Sequence, residues 1–344
     1  MGIGKLGRKV MWLLQKISNP PYFLYLLCHY AQVNMPKFLA KSIARKNLRS
    51  FLAEEQEFYL ETYDGSNQAV HPDVAYFNGE YWLAATPYPY GMEEYENPCL
   101  YRGGSIATLK AIPGNPIAKQ RRHKIGFHLS DPCLLTCANK LICVYRENTR
   151  ENGIEQNYLY AKVITGKEKQ EIPSLIVSSK DDPLLSPALV CITEDGIEKI
   201  HMYHVRRSGN RSEIVHSALN EELKAECVEE HICKGLPEDY FIWHISIAFS
   251  LDKKKFSEKE NAELSGLFLL KRANSTEEYR LFLAEQKNKT EWNLRKEIRP
   301  SANIRDDEVC PYKASFIPHT DEVLYSYIDK ENRYRMTIIH NGIT

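Results

Sequence analysis

Five short segments of this sequence repeat one arrangement of chemically capable residues. They read His71-Pro72-Asp73-Val74, Asp131-Pro132-Cys133-Leu134, Ser186-Pro187-Ala188-Leu189, Trp243-His244-Ile245-Ser246 and Tyr312-Lys313-Ala314-Ser315. Three of them set a polar residue, a proline, a small or polar residue and an aliphatic in a row. They recur roughly every 55–70 residues, which is the spacing of a repeated supersecondary unit. If each opens the innermost strand of one unit in a closed ring, then His71, Asp131, Ser186, His244 and Lys313 converge on one mouth, with Asp73, Trp243 and Tyr312 beside them. The start of a third strand and the end of a second add Glu96, Asn97, Arg146 and Glu147. Carboxylates accept hydrogen bonds from hydroxyl groups and an arginine binds anionic substituents, so the set suits a hydroxyl-rich ligand. Trp82, Tyr88, Tyr90, Tyr145 and Trp243 offer ring faces for a sugar to stack on. Metal-free acid–base chemistry needs two carboxyl groups spaced across a bond, one with a raised pKa, and Glu96, Asp131 and Glu147 are the candidates.

Each of these residues also has a plainer role open to it. Asp131 before Pro132 fits the closing residue of an Asx-type turn. His71 and His244 fit hydrogen-bonded core histidines, and Glu147 fits a surface pair with Arg146 or Arg150. Glu96 shares an acidic loop with Glu93 and Glu94. His201 and His204 project from opposite faces of a strand, which argues against a metal pair there. No metal and no cofactor is expected.

The elements that must position these residues read as strands. Tyr76-Phe77-Asn78-Gly79-Glu80-Tyr81-Trp82-Leu83 is strand, Asn-Gly turn, strand. The same pattern returns at 134–145, 188–205 and 315–327. The expected blades cover about 71–112, 129–179, 183–235, 240–300 and 308–341. The fifth is one strand short, and Phe58-Tyr59-Leu60-Glu61-Thr62 is expected to supply the missing one and close the ring. The fold class is all-β: a five-bladed β-propeller over residues 56–344, with a short, partly helical N-terminal extension over 1–55.

Composition supports this reading. Of 344 residues 43% are hydrophobic and 26% charged, which excludes wholesale disorder and a polytopic membrane protein. Twenty-one tyrosines, and glycine and proline at 17 each, suit strands and turns better than a helical bundle. The net charge is zero but uneven: residues 1–50 carry nine basic residues and no acidic one, leaving 36 basic and 45 acidic beyond them, a net of −9. An acidic body repels nucleic acid, so none is expected as a partner. The basic head, with Trp12, Phe23, Tyr25, Tyr30 and Phe38, fits either a helix on an anionic membrane surface or a cap packed on the body. Nine cysteines without pairing rhythm read as reduced thiols in a reducing compartment. The expected location is therefore the cytoplasm, peripheral at the inner membrane face.

The openers Asp131-Pro132, His71-Pro72 and Ser186-Pro187, with the Asn-Gly hairpin and Tyr81-Trp82, resemble five-bladed propeller glycosidases, glycoside hydrolase families 43 and 32 and their relatives. The stretch 71–101, with Thr86-Pro87-Tyr88-Pro89 and Glu96-Asn97-Pro98, looks closer still to uncharacterised propellers of phage and bacterial surface-glycan clusters. The resemblance implies a carbohydrate ligand, an acid at the opening of blade one, a second at blade two that binds sugar hydroxyls, and a glutamate before the blade-three proline. Asp131 matches the second; His71, with Asp73 two residues on, stands at the first, and Leu185-Ser186 at the third. Two outcomes follow: Glu96 and Glu147 take over the chemistry, or the pocket binds sugar without cleaving it. The head also looks like the leaders of membrane-associated capsule and lipopolysaccharide assembly enzymes, which adds a glycosyltransferase as a third reading.

Overall fold

The computed structural model describes residues 60–339 except 152, 166–171, 181, 210, 250–263, 274, 276–277, 299–309 and 330–332. The expected N-terminal extension, with its helical and membrane-binding readings, lies outside the described residues.

The described chain is strand after strand, folded into five antiparallel blades. Blade one holds β1 (Ala69–Phe77), β2 (Glu80–Pro87), β3 (Cys99–Gly103) and the short β4 (Lys110–Ala111). Blade two holds β5 (His128–Cys137), β6 (Lys140–Glu151), β7 (Ile154–Thr165) and β8 (Ser174–Lys180). Blade three holds β9 (Leu184–Glu194), β10 (Ile197–Ser208), β11 (Arg211–Leu219) and β12 (Ala225–Lys234). Blade four holds β13 (Tyr240–Phe249), β14 (Leu264–Arg272), β15 (Tyr279–Asn288) and β16 (Glu291–Ile298). Blade five has three strands, β17 (Cys310–Phe316), β18 (Val323–Ile328) and β19 (Tyr334–Ile339). The five-bladed propeller is the fold that the hairpin spacing predicts.

Turn chemistry sets the hairpins. Asn78 and Gly79 take φ of 51° and 82°, and Asp195 and Gly196 take 51° and 78°, the paired left-handed geometry of a two-residue turn whose twist matches the strands it joins.

Among the described residues one hydrophobic cluster lies between each pair of consecutive blades, and a smaller one joins Val70, Tyr312 and Tyr334. Strand alternation builds them: Leu141, Cys143 and Tyr145 of β6 pack on Trp82, Ala84 and Leu100 of blade one, while Ile142 and Val144 pack on Leu189 and Met202 of blade three. Blades three and four enclose Phe268 and the fully buried Trp292, and blades four and five enclose Leu267, Phe316 and Tyr325.

Two expectations are corrected. Leu60, Glu61 and Thr62 form no strand, and Phe58 and Tyr59 lie outside the described residues. Leu60 instead inserts between blades five and one, against Val74, Leu83, Ile317, Leu324 and Met336, so the ring is sealed there by side-chain packing. Cys137 and Cys191 form a disulfide between the inner strands of blades two and three, whereas free thiols were expected throughout. Cysteines 99, 133, 143, 227 and 233 are free. The sequence also gives no hint that β12 and β16 pair in parallel, joining blades three and four at their outer edges.

The inner strands are tied to one another by side chains. Leu134 N–H donates to Asp73 Oδ2 at 2.6 Å, from blade two to blade one. Val74 N–H donates to Ser315 Oγ at 3.1 Å, from blade one to blade five. Ser186 Oγ accepts from Ile245 N–H at 2.9 Å and donates to Ile245 O at 3.0 Å, from blade three to blade four.

Replacing Ser186 by alanine strands one buried N–H and one buried carbonyl, and is expected to cost about 2–4 kcal/mol in chemical denaturation; a loss under about 0.5 kcal/mol would show the clamp to be idle. Asp73 gives a second test. Burial raises its carboxyl from the ordinary 3.8 to about 6, against the pull of Lys313, the Leu134 N–H and Ser315. The folded protein thus holds this proton more tightly than the unfolded chain. Its contribution to stability falls as pH rises from about 4 to 6 and is flat above, a loss of about 3 kcal/mol. Asp73→Asn should remove that slope from a pH series of denaturation curves.

Candidate functional site

The opening residue of each inner strand is aimed by a local backbone distortion. A register shift interrupts the β1–β2 ladder between Val70 and Asp73, the β5–β6 ladder between Ser130 and Cys133, the β13–β14 ladder between Ile242 and His244, and the β17–β18 ladder between Pro311 and Lys313. His71 and Asp131 sit in two of these openings, and Ser186 in a like shift of the β9–β10 ladder between Leu185 and Ala188, with φ of 56°, 50° and 47°, a left-handed conformation that is rare in residues other than glycine. The following prolines cannot donate to a ladder, so the pairing breaks where the side chain must turn. Such strain persists only where surrounding structure enforces it, and it gathers at functional sites.

The result is a buried polar cluster on the axis. Asp131 Oδ1 lies 3.4 Å from His71 Nε2, 3.1 Å from His244 Nδ1 and 3.7 Å from Lys313 Nζ. On its other side His71 meets Thr86 Oγ1 at 2.9 Å and Glu96 Oε2 at 3.8 Å, both through Nδ1. Tyr312 packs its ring on His71 and His244, 5.4 and 5.3 Å between centroids, and extends the wall to Tyr88, Tyr279 and Tyr334. Arg146 stands beside the cluster, its Nε and Nη2 donating to the buried Asn157 Oδ1 at 3.1 and 2.8 Å.

Electrostatics separate the two carboxyl groups. Burial raises Glu96 well above the usual carboxylate range, and the charges of Asp131 and Glu93 add to it; Arg146 pulls only partly back. Burial acts on Asp131 in the same sense, but His71, His244 and Lys313 overcome it and hold the carboxyl well below its usual range. Burial lowers His71 and His244, keeping the imidazoles neutral. The site therefore sets a carboxyl biased toward its protonated form beside one biased toward its ionised form, the division of labour that acid–base catalysis uses.

Asp131 Oδ1 and His244 Nδ1 are buried against each other, while His244 Nε2, Lys313 Nζ and His128 Nδ1 are buried with no hydrogen-bond partner among the described residues. Buried polar atoms are nearly always satisfied, so a concentration of donors and acceptors at one point marks a place built to receive a ligand. His71, Asp131 and His244 also bring ligand atoms within 4.8 Å of one another, close enough for a divalent cation. The Lys313 ammonium lies against the same carboxylate oxygen and already supplies the positive charge, so the set fits a cation poorly.

The structure thus brings His71, Glu96, Asp131, Arg146, His244 and Tyr312 together, with Trp243 at the edge, 5.9 Å from the His244 ring. The remaining candidates stand apart. Asp73 and Ser186 are held in the inter-blade clamps. Asn97 ties its loop together, donating to Tyr63 Oη at 2.7 Å and accepting from Gln120 N–H at 2.7 Å. Glu147 accepts from Gln120 Nε2 at 2.8 Å, on the face of β6 opposite to Arg146. The sequence reading did not pick out Asn157, His128, Thr86 or Tyr334. A signal existed for His128, three residues before Asp131 on the same strand; none existed for Asn157 or Tyr334, which come from strands outside the repeated opener.

Beyond the clamps the axis continues as a cavity of about 470 Å³, lined by inner strands of all five blades, with Val74, Leu134, Leu189, Ile247 and Phe316 on its wall. Its lining is mostly apolar, so the polar chemistry is confined to the strand-opening end.

No protein-family model and no curated protein matches the sequence. Solved structures do match the fold. An N-acetylgalactosamine deacetylase from F. plautii, solved with blood group B trisaccharide, superposes with a TM-score of 0.60 at 15% identity, over 82% of this chain and 92% of that one. A xylan β-1,4-xylosidase from Bacillus halodurans C-125 gives 0.59 at 12% identity, over 83% of this chain and 54% of that one. A glycoside hydrolase family 43 endo-arabinanase from Bacillus licheniformis gives 0.52 at 9% identity, over 82% and 96%. At such identities the likeness carries the fold, which is that of the propeller glycosidases to which the openers point.

Lys313 and Asp131 form a buried ion pair on the axis, 3.7 Å apart. Asp131→Asn should cost about 3–5 kcal/mol by leaving the ammonium without its partner. Adding Lys313→Met should return most of it, and a double-mutant cycle in denaturant measures the coupling; additive losses would mean the two do not act as a pair.

Proposed function

We propose that the axial site handles a carbohydrate, part of a bacterial surface polysaccharide, by glycosidase-like chemistry. The observation that carries the reading is the buried cluster of donors and acceptors around Asp131, in which His244 Nε2 and Lys313 Nζ have no hydrogen-bond partner among the described residues. A sugar hydroxyl both donates and accepts, so it can satisfy the Asp131 carboxylate and the His244 or Lys313 N–H groups at once. The Tyr312 and Trp243 rings supply the apolar faces that a pyranose needs. In this reading Glu96 is the proton donor to the leaving oxygen, because it is the carboxyl of the cluster biased toward its protonated form, and Asp131 fixes a hydroxyl and faces the positive charge that develops on the ring. The propeller likeness to a deacetylase and to glycosidases supports carbohydrate as the ligand class.

A second reading, sugar binding without cleavage, is favoured by one observation. Asp73 and Ser186, the residues nearest to the family's acid positions in blades one and three, are consumed in backbone clamps.

Calorimetry and mass spectrometry against a panel of bacterial surface oligosaccharides separate the readings. For a glycosidase, wild type binds and yields products, Glu96→Gln binds but turns over at least ~100-fold more slowly, and Asp131→Asn loses binding. Activity should fall as pH rises through the raised pKa of Glu96, since the acid must carry its proton. Binding without product supports the second reading, and binding that survives Asp131→Asn rejects the axial site altogether.

A further inference from the structure

Beside the axial cluster, two cations stand where a carboxylate partner would be expected. Arg207 and Lys271 are the penultimate residues of β10 and β14, the second strands of blades three and four. Both are half-buried, and neither makes an ion pair with a carboxylate among the described residues. Arg207 donates through Nε to Gly209 O at 2.8 Å and lays its guanidinium 4.8 Å from the Phe241 ring and 5.4 Å from the Trp243 ring. Lys271 Nζ lies 4.6 Å from the Trp243 ring and 5.3 Å from that of Tyr279. The Trp243 indole Nε1 is itself buried and makes no hydrogen bond.

This arrangement is costly unless something anionic joins it. Burial lowers both basic groups from their ordinary values; the Glu155 carboxylate pulls Arg207 only partly back, and the charge of Arg207 depresses Lys271 further. Several other cations of the blades are matched by carboxylates, as Arg206 is by Glu213 and Arg280 by Glu297. Arg207 and Lys271 are instead held over aromatic faces, which keep a cation in place without neutralising it. Trp243 links them to the site, because its ring also lies against His244.

We infer that Arg207, Lys271 and the Trp243 indole N–H form an anion subsite at the rim of the axial site, taking the acidic substituent of a charged sugar. This rests on the carbohydrate reading of the axis and narrows it to acidic glycans. A carboxylate or a phosphate monoester on the sugar has the needed chemistry: its oxygens accept from the guanidinium, the ammonium and the indole N–H together.

The test reads Trp243 directly. In ¹⁵N-labelled protein the Trp243 indole resonance, assigned by Trp243→Phe, is followed during titration with glucuronate, glucose 6-phosphate and glucose. At least one anionic sugar should shift it saturably, and glucose should bind at least tenfold more weakly. Arg207→Gln and Lys271→Gln should each weaken the anionic sugar about tenfold, and Lys271→Arg should restore it; unchanged indole resonances from the other tryptophans report that the variants are folded. The better of the two anions tells carboxylate from phosphate. No shift with either anion, an equal response to glucose, or an affinity that ignores both substitutions would overturn the inference. Failure of the axial reading looks different. In that case the anion shift persists unaltered in Asp131→Asn, while no neutral glycan binds anywhere on the protein. Neutral glycans bound through Asp131, with no anion response, would remove the subsite and leave the axial reading standing.

Discussion

The inner strands of a propeller share no hydrogen-bonded ladder with their neighbours, so something else must hold the ring at its narrowest point. Here a side chain near the start of one inner strand takes a backbone N–H of the next. Asp73 takes Leu134, Ser315 takes Val74, and Ser186 takes Ile245, while Cys133 bonds to the Leu189 backbone. The pattern also explains an irregularity. Four blades carry Asp73, Cys133, Ser246 and Ser315 two residues after the opener, but blade three has Ala188 there, and its clamp comes from the opener Ser186 itself. A residue that looks like a ligand-facing group by its place in the repeat is therefore a fastener. This is why the blade-three opener contributes nothing to the polar cluster.

The clamps fix where charge can sit. Lys313 is the most buried cation of the axis and acts on both Asp131, 3.7 Å away, and Asp73. One ammonium cannot keep several buried carboxyls ionised. Asp131, which also has two imidazoles against it, stays charged; Asp73 titrates near 6; and Glu96, next to the Asp131 charge, is biased toward keeping its proton. The acid and the base of the site thus follow from burial raising the cost of each additional charge: Lys313 and the imidazoles favour ionised Asp131, and the Asp131 charge in turn raises Glu96. The axial fastener and the candidate chemistry are parts of one electrostatic system.

Much of this was legible in the residues, for identifiable reasons. Two-residue turns such as Asn78-Gly79 announce hairpins because their left-handed φ values are cheap only for Asn and Gly, and the X-Pro openers announce bulges because proline breaks a ladder. The convergence of His71, Asp131, His244 and Lys313 needed only the assumption of a closed ring. What was not legible depends on pairings between distant strands. The Cys137–Cys191 disulfide joins residues 54 apart in sequence, and the parallel β12–β16 seam joins two outer edges. Arg146 and Glu147 are different: they are adjacent on one strand and must face opposite ways, so period-two alternation alone rules out both lining one pocket. Blade five lacks a fourth strand, and the local sequence at 60–62 offered one, but Leu60 serves better as a plug between Val74 and Leu324.

The rim differs from the axis in how it treats a cation. Lys313 lies against the Asp131 carboxylate inside the fold, whereas Arg207 and Lys271 lie over Phe241, Trp243 and Tyr279 with no ion pair to a carboxylate among the described residues and only the more distant field of Glu155 on Arg207. An aromatic face positions a cation at a fraction of the energy of an ion pair and leaves its field intact. The difference matters because the body of the chain, beyond residue 50, carries a net charge of −9. A strongly acidic surface screens and repels an anionic glycan at long range. Two cations held this way beside a buried site reverse that field locally, over about the 8–10 Å that salt allows. An acidic sugar would then be turned away by most of the surface and received at one edge of the mouth, with its ring over Trp243 and its hydroxyls toward Asp131.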